Sequence, residues 1–224
     1  DKGGNIVIPY TVLGIVVLGI AIVFSRVDLP EIKHQETEED LSHGTRIMKL
    51  FRHHPMFVFG LLALLAYEVA EISINSYFIN YVTGKGWMTD NTASIVLTGA
   101  LALFMLGRFA GSWIMRQVKA ERMLLWCAIG SVICIGLVML NLGTISMVAL
   151  VCNYACEAIM FPTIFSLALR GLGNLTKSAS SLLMMTPIGG CGFLLMGLIA
   201  DSTGMMSMPY IIPFIGFFVV LMYA

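Results

Sequence analysis

Long apolar runs constrain this chain before anything else. An α-helix needs about 17–25 mainly apolar residues to cross a bilayer, and seven windows qualify: 6–25, 55–82, 92–115, 122–140, 145–169, 178–200 and 208–224. Strands of a membrane barrel would alternate apolar with polar residues, which TVLGIVVLGIAIVF and MLLWCAIGSVICIGLVML do not. Of 224 residues, 58% are hydrophobic and 12% charged, whereas soluble domains run at roughly 45–50% and about 25%. With 13 basic residues against 13 acidic ones, no basic field exists to hold nucleic acid. An all-α membrane bundle of seven transmembrane helices, with the lipid bilayer as its solvent, is predicted.

Lys and Arg accumulate in cytoplasmic loops. Segment 26–54 carries Arg26, Lys33, Arg46, Lys49 and Arg52; loop 116–122 carries Arg116, Lys119 and Arg122; loop 170–177 carries Arg170 and Lys177. The intervening connections hold only Lys85, so the N-terminus and loops 83–91, 141–144 and 201–207 are predicted outside. Trp113 and Trp126 near the inner ends, with Tyr81, Trp87 and Tyr210 near the outer, fit an aromatic belt.

Residues 26–54 form the one long connection and hold six acids, five bases and all four histidines. Such a charged segment between one helix and a run of six marks a boundary between two bundles. Ile47, Met48, Leu50 and Phe51 among Arg46, Lys49 and Arg52 have the pattern of a helix lying on the inner membrane surface. His34, His43, His53 and His54 lack metal-ligand spacing and are taken as solvated linker residues, and no cofactor is implied. The five cysteines fall inside predicted spans, where they behave as small apolar residues. The start at Asp1 and the end at Ala224, inside an apolar run, suggest a piece of a longer chain.

Polar groups inside spans carry more information, because charge in a bilayer is expensive and usually faces a cavity or a partner. Glu68, Glu71 and Asn75 recur at helical spacing on one stripe of the second span. In the fifth span Asn153 and Glu157 stand one turn apart, with Pro162 just beyond them removing a backbone hydrogen bond. These groups either glue helices together or line a solute path. No basic residue is expected at that depth, so the carboxyls must be protonated, reach water, or find partners in helices outside this chain. Pro187, Gly189, Gly190 and Gly192 interrupt the sixth span, as in helices that bend or line cavities. Gly107 and Gly111 make a small-xxx-small pair around Arg108, which is expected to snorkel to the inner interface or dock on another helix as a gating residue.

The stretches AEISINSYFINY (70–81), GRFAGSW (107–113), IMFPTIFSLALRGLGNLTKSASSLL (159–183) and GLIADSTG (197–204) together resemble the fucose, galactose and glucose proton symporter family of the major facilitator superfamily. The resemblance implies a fragment of a twelve-helix transporter. Residues 1–25 would be the last helix of the N-terminal bundle, 26–54 the cytoplasmic central linker, and 55–224 the C-terminal six-helix bundle. It implies a secondary active transporter that takes up a hexose or deoxyhexose by proton-coupled symport. The complete protein would act as a monomer in a bacterial inner membrane, with the missing N-terminal half as its partner and the coupling proton in place of a cofactor.

Carried over residue by residue, Glu71 matches the acidic or amide position that faces the sugar cavity, and Tyr67, Ser73, Ser76 and Asn80 fit the same pattern. Glu157 stands where many members have Asn, Ala158 where they have Ser, and Glu68 and Asn75 replace smaller or apolar residues. The substrate-binding candidates are therefore Tyr67, Glu68, Glu71, Asn75, Asn153 and Glu157. Gly107 with Arg108, and Gly197 with Asp201 and Gly204, look like copies of the superfamily's loop signature. Pro162, Pro187, Gly189 and Gly190 join them as gating or structural residues. The alternatives are a seven-helix receptor or a transporter of a non-sugar solute. A retinal protein would need a lysine in the last helix, and none follows Lys177.

Overall fold

Nine α-helices and three short 3-10 turns form the regular structure of the described residues (4–26, 43–115 and 117–224) in a computed structural model of the protein. The first helix, α1 (Gly4–Arg26), falls in one compact unit and everything after residue 40 in another. In that second unit α2 (His43–His53) leads into α3 (Pro55–Gly84), α4 (Asp90–Ile114), α5 (Ala120–Met139) and α6 (Thr144–Ala168). The broken pair α7 (Thr176–Leu183) and α8 (Gly192–Thr203) follows, and α9 (Ile211–Tyr223) closes the chain. The predicted linker segment 27–42, with His34 in it, and Arg116 lie outside the described residues.

Helix ends fall where local chemistry stops or starts them. Pro55 occupies the first turn of α3, where its missing N–H costs nothing. Gly204 caps α8 at φ +64, a left-handed conformation that glycine adopts freely. The tight α5–α6 hairpin is closed by the buried Ser146 hydroxyl, which accepts from Leu142 N and donates to Leu137 O, both at 2.8 Å. At the other end of the same helices Arg170 pairs with Glu121.

α3 and α6 form the middle of the second unit. α3 packs against α4, α6, α8 and α9, and α6 against α4 and α5. Gly216 of α9 lies so close to α3 that a Cβ there would meet Ala66 O at 2.7 Å. Tyr77, Tyr81, Trp87 and Tyr210 interlock edge to face, tying the end of α3 to the start of α9. α4 by contrast leaves most of its apolar surface uncovered, Ile95, Leu106 and Phe109 included.

The all-helical, membrane-spanning class expected from the sequence is what the structure has, with two refinements. The 178–200 window is not one helix: α7 ends at Leu183, a 3-10 turn covers Thr186–Cys191, and α8 starts at Gly192. Pro187 cannot donate to the preceding turn, and Gly189 and Gly190 favour the departure from α geometry. The 208–224 window opens with a 3-10 turn, Met208–Tyr210, before α9. Pro162 leaves α6 continuous.

Candidate functional site

Pro162 explains the geometry around it. A proline inside a helix has no N–H for the carbonyl four residues back, and in α6 that carbonyl is Ala158's. Arg108 of α4 supplies the missing donor: its Nε donates to Ala158 O at 3.1 Å. Glycine makes the approach possible, since a Cβ on Gly107 would lie 3.0 Å from Ala158 Cβ and one on Gly111 would run into the Ile159 side chain. The guanidinium also sits over the Phe104 ring, 4.7 Å from its centroid, a cation–π contact.

Glu157 precedes Ala158 and is fully enclosed, as are Asn153 and Tyr67. Asn153 Nδ2 donates to Glu157 Oε1 at 2.6 Å, one helical turn away. Glu157 Oε2 and Asn153 Oδ1 are buried without a hydrogen-bond partner among the described residues. From α3, the Tyr67 hydroxyl donates to the backbone oxygen of Glu157 at 3.0 Å, and its ring lies against Phe161. Glu68 is 7% exposed, and Glu71 and Asn75 are half-buried on the same helix.

Arg108 is within electrostatic reach of Tyr67, Glu68 and Glu71, and Glu71 of Glu157. Two carboxyls of α3, Glu68 and Glu71, thus share one guanidinium from α4, and Glu157 of α6 is within reach of Glu71. This corrects the expectation that no basic residue lies at the depth of the acids: Arg108 docks inward on α6 rather than snorkelling away, because Pro162 leaves it an acceptor. Chemically, the joint offers guanidinium N–H donors facing carboxyl acceptors.

The other expected residues lie elsewhere. Gly189, Gly190 and Gly192 press the broken span onto α3: a Cβ at each would meet Val69, Ile72 and Val69 at 2.8, 3.2 and 2.7 Å. Pro187 opens that 3-10 turn. Asp201 is exposed near the end of α8, on the side of Tyr77 rather than among the three acids.

The chain's sequence and fold have known relatives. The Major Facilitator Superfamily model matches residues 4–190. The chain belongs to the major facilitator superfamily, and it is an integral membrane protein. It is 30% identical over 224 residues to the L-fucose-proton symporter of Escherichia coli (strain K12), covering 96% of this chain and 50% of that one. To the glucose/galactose transporter of Brucella abortus (strain 2308) it is 29% identical over 211 residues, covering 92% and 50%. The crystal structure of the E. coli fucose:proton symporter FucP superposes with a TM-score of 0.84 at 27% identity, over 96% of this chain and 53% of that one. Another FucP structure, in the outward conformation, gives 0.82 over the same shares. The chain therefore spans about half the length of the relatives it matches.

The motif resemblance read from the sequence is thus borne out at the level of the family. What sequence reasoning missed in this major facilitator chain is the Arg108–Ala158 bond. Counting four residues back from Pro162 would have found the free carbonyl, and a glycine beside an arginine at Gly107–Arg108 marks a segment able to approach closely with a donor.

Proposed function

We propose that the complete protein takes up a neutral hexose or deoxyhexose, such as fucose, glucose or galactose, together with a proton, by alternating access across a bacterial inner membrane. The observation that carries this reading is the joint of Glu68, Glu71, Glu157 and Arg108, in a chain akin to proteins named for fucose, glucose and galactose. Sugar hydroxyls donate and accept hydrogen bonds, so carboxyl acceptors opposite guanidinium donors suit them better than they suit an ion. Glu71 and Asn75, both half-buried, are the direct contacts in this reading, with Glu68, Tyr67, Asn153 and Glu157 behind them. Gly107 and Pro162 shape the seam that holds α4 on α6, Pro187, Gly189 and Gly190 shape the seam along which helices move, and Asp201 latches the far end.

In the same reading α1 is the last helix of an N-terminal six-helix half, residues 26–54 are a cytoplasmic linker, and 55–224 form the C-terminal half. The two halves make one monomeric transporter. The test is accumulation of radiolabelled L-fucose, D-galactose and D-glucose by proteoliposomes holding the complete protein, under an inward proton gradient and with a protonophore. Accumulation of one of these sugars that collapses with the protonophore is expected. Accumulation of a charged solute and of no sugar would overturn the reading.

A further inference from the structure

The Arg108 guanidinium is held on two sides and free on the third. Its Nε edge is taken by Ala158 O and its face by Phe104. The two terminal Nη groups, with four N–H donors between them, have no hydrogen-bond partner among the described residues. Glu68 and Glu71 are near enough to act on the guanidinium electrostatically, yet neither makes an ion pair with it; among the described residues the ion pair formed is Arg170–Glu121. Arg108 is itself exposed even though its Nε docks on α6.

An arginine fork and two carboxyls that attract without pairing set free donors near free acceptors. The occupant that satisfies both carries groups that accept and donate at once, and adjacent hydroxyls on a sugar ring do so. A carboxylate or phosphate ligand would satisfy the fork but be repelled by the three acids, and an ammonium ligand would do the reverse. Two tethers also hold the fork in place before anything binds, which lowers the ordering cost of binding.

We propose that Arg108 is a substrate-binding residue whose Nη pair donates to two neighbouring hydroxyl oxygens of the sugar, while Glu71 accepts from a hydroxyl on the opposite side. Pro162 is then a positioning residue, since it frees the carbonyl that aims the fork. The inference rests on the sugar-transport reading above and replaces the gating role expected for Arg108 from sequence.

The test is equilibrium binding to the purified complete protein, using the sugar with the highest affinity and its series of mono-deoxy analogues, for wild type, Arg108→Lys and Arg108→Gln. Two analogues lacking neighbouring hydroxyls should bind wild type about 10-fold or more weaker than the parent sugar. Arg108→Gln should weaken the parent sugar to a similar degree and bind those two analogues no worse than wild type does, while other analogues lose affinity in both proteins alike. Arg108→Lys should recover only part, because a single ammonium cannot serve Ala158 O and two hydroxyls together. An unchanged Kd in Arg108→Gln, or an equal loss for every analogue, would overturn the assignment of Arg108 and leave the transport reading standing. Binding of no sugar by wild type would overturn both.

Discussion

Two of the glycine-lined seams in this bundle are built on different physics. At the α4–α6 seam Gly107 and Gly111 press on Ala158 and Ile159, and the Arg108–Ala158 hydrogen bond fixes the register. At the seam between α3 and the broken span, Gly189, Gly190 and Gly192 press on Val69 and Ile72 with no hydrogen bond crossing between described residues. Close packing in a membrane needs small residues in both cases. The first seam adds a directional bond that resists sliding; the second relies on shape alone and adjoins a helix already interrupted by Pro187. In the proposed reading the α4–α6 seam holds a binding residue and the α3 seam is the one that moves.

Substitutions that crowd one seam at a time break that comparison most sharply. Gly111→Ala drives a Cβ into Ile159 and should cost ~1–3 kcal/mol of stability, read as a fall in the melting temperature of the complete protein in detergent. Because the same shift displaces Ala158, sugar affinity should fall with it. Gly192→Ala meets Val69 Cγ1 at 2.7 Å and should also lower the melting temperature, with the loss partly recovered by adding Val69→Ala. Here sugar affinity should stay near wild type. Equal loss of affinity from both substitutions would erase the distinction between the seams.

Glu157 comes next in expected size. Asn153 Nδ2 needs an acceptor at Oε1, which Gln provides and Ala does not. Glu157→Gln should therefore keep stability and sugar exchange, while Glu157→Ala leaves a cavity and an unpaired amide, at ~1–3 kcal/mol. Thermal unfolding and counterflow exchange of both variants would check this, and a Gln variant as damaged as the Ala variant would contradict the geometry. A smaller effect is expected at Tyr67, where Tyr67→Phe removes one hydrogen bond to Glu157 O and should cost ~0.5–1.5 kcal/mol, measured the same way. The smallest stability change is predicted for Pro162→Ala. The restored N–H can bond Ala158 O within the helix, so stability should move by no more than ~1 kcal/mol while the Kd for sugar rises as Arg108 loses its tether.

Much of this architecture was legible in the sequence because hydropathy over 20 residues is a summed signal that single residues cannot disguise. That is why the spans at α3, α4, α5 and α6 fall within a few residues of their windows. The break at Pro187 was legible for a local reason, since proline and glycines sit together there. What stayed hidden was the partner of each buried polar group. Glu71 and Glu157 are 86 positions apart and Arg108 lies between them in sequence, so no periodicity brings them together. Periodicity groups residues on one helix, whereas the Arg108–Ala158 bond depends on how two helices cross. The bond's acceptor is a backbone carbonyl, which leaves no side-chain signature beyond the proline that frees it.

Coupled movement of sugar and proton is measured directly by the proton movement that sugar causes. De-energised cells that express the complete protein, in a lightly buffered suspension without oxygen, are given the sugar that accumulates best in proteoliposomes while external pH is recorded. Prompt alkalinisation of the medium is expected, abolished by a protonophore and absent from cells without the protein. Sugar entry at the same rate with no change in external pH would contradict coupling.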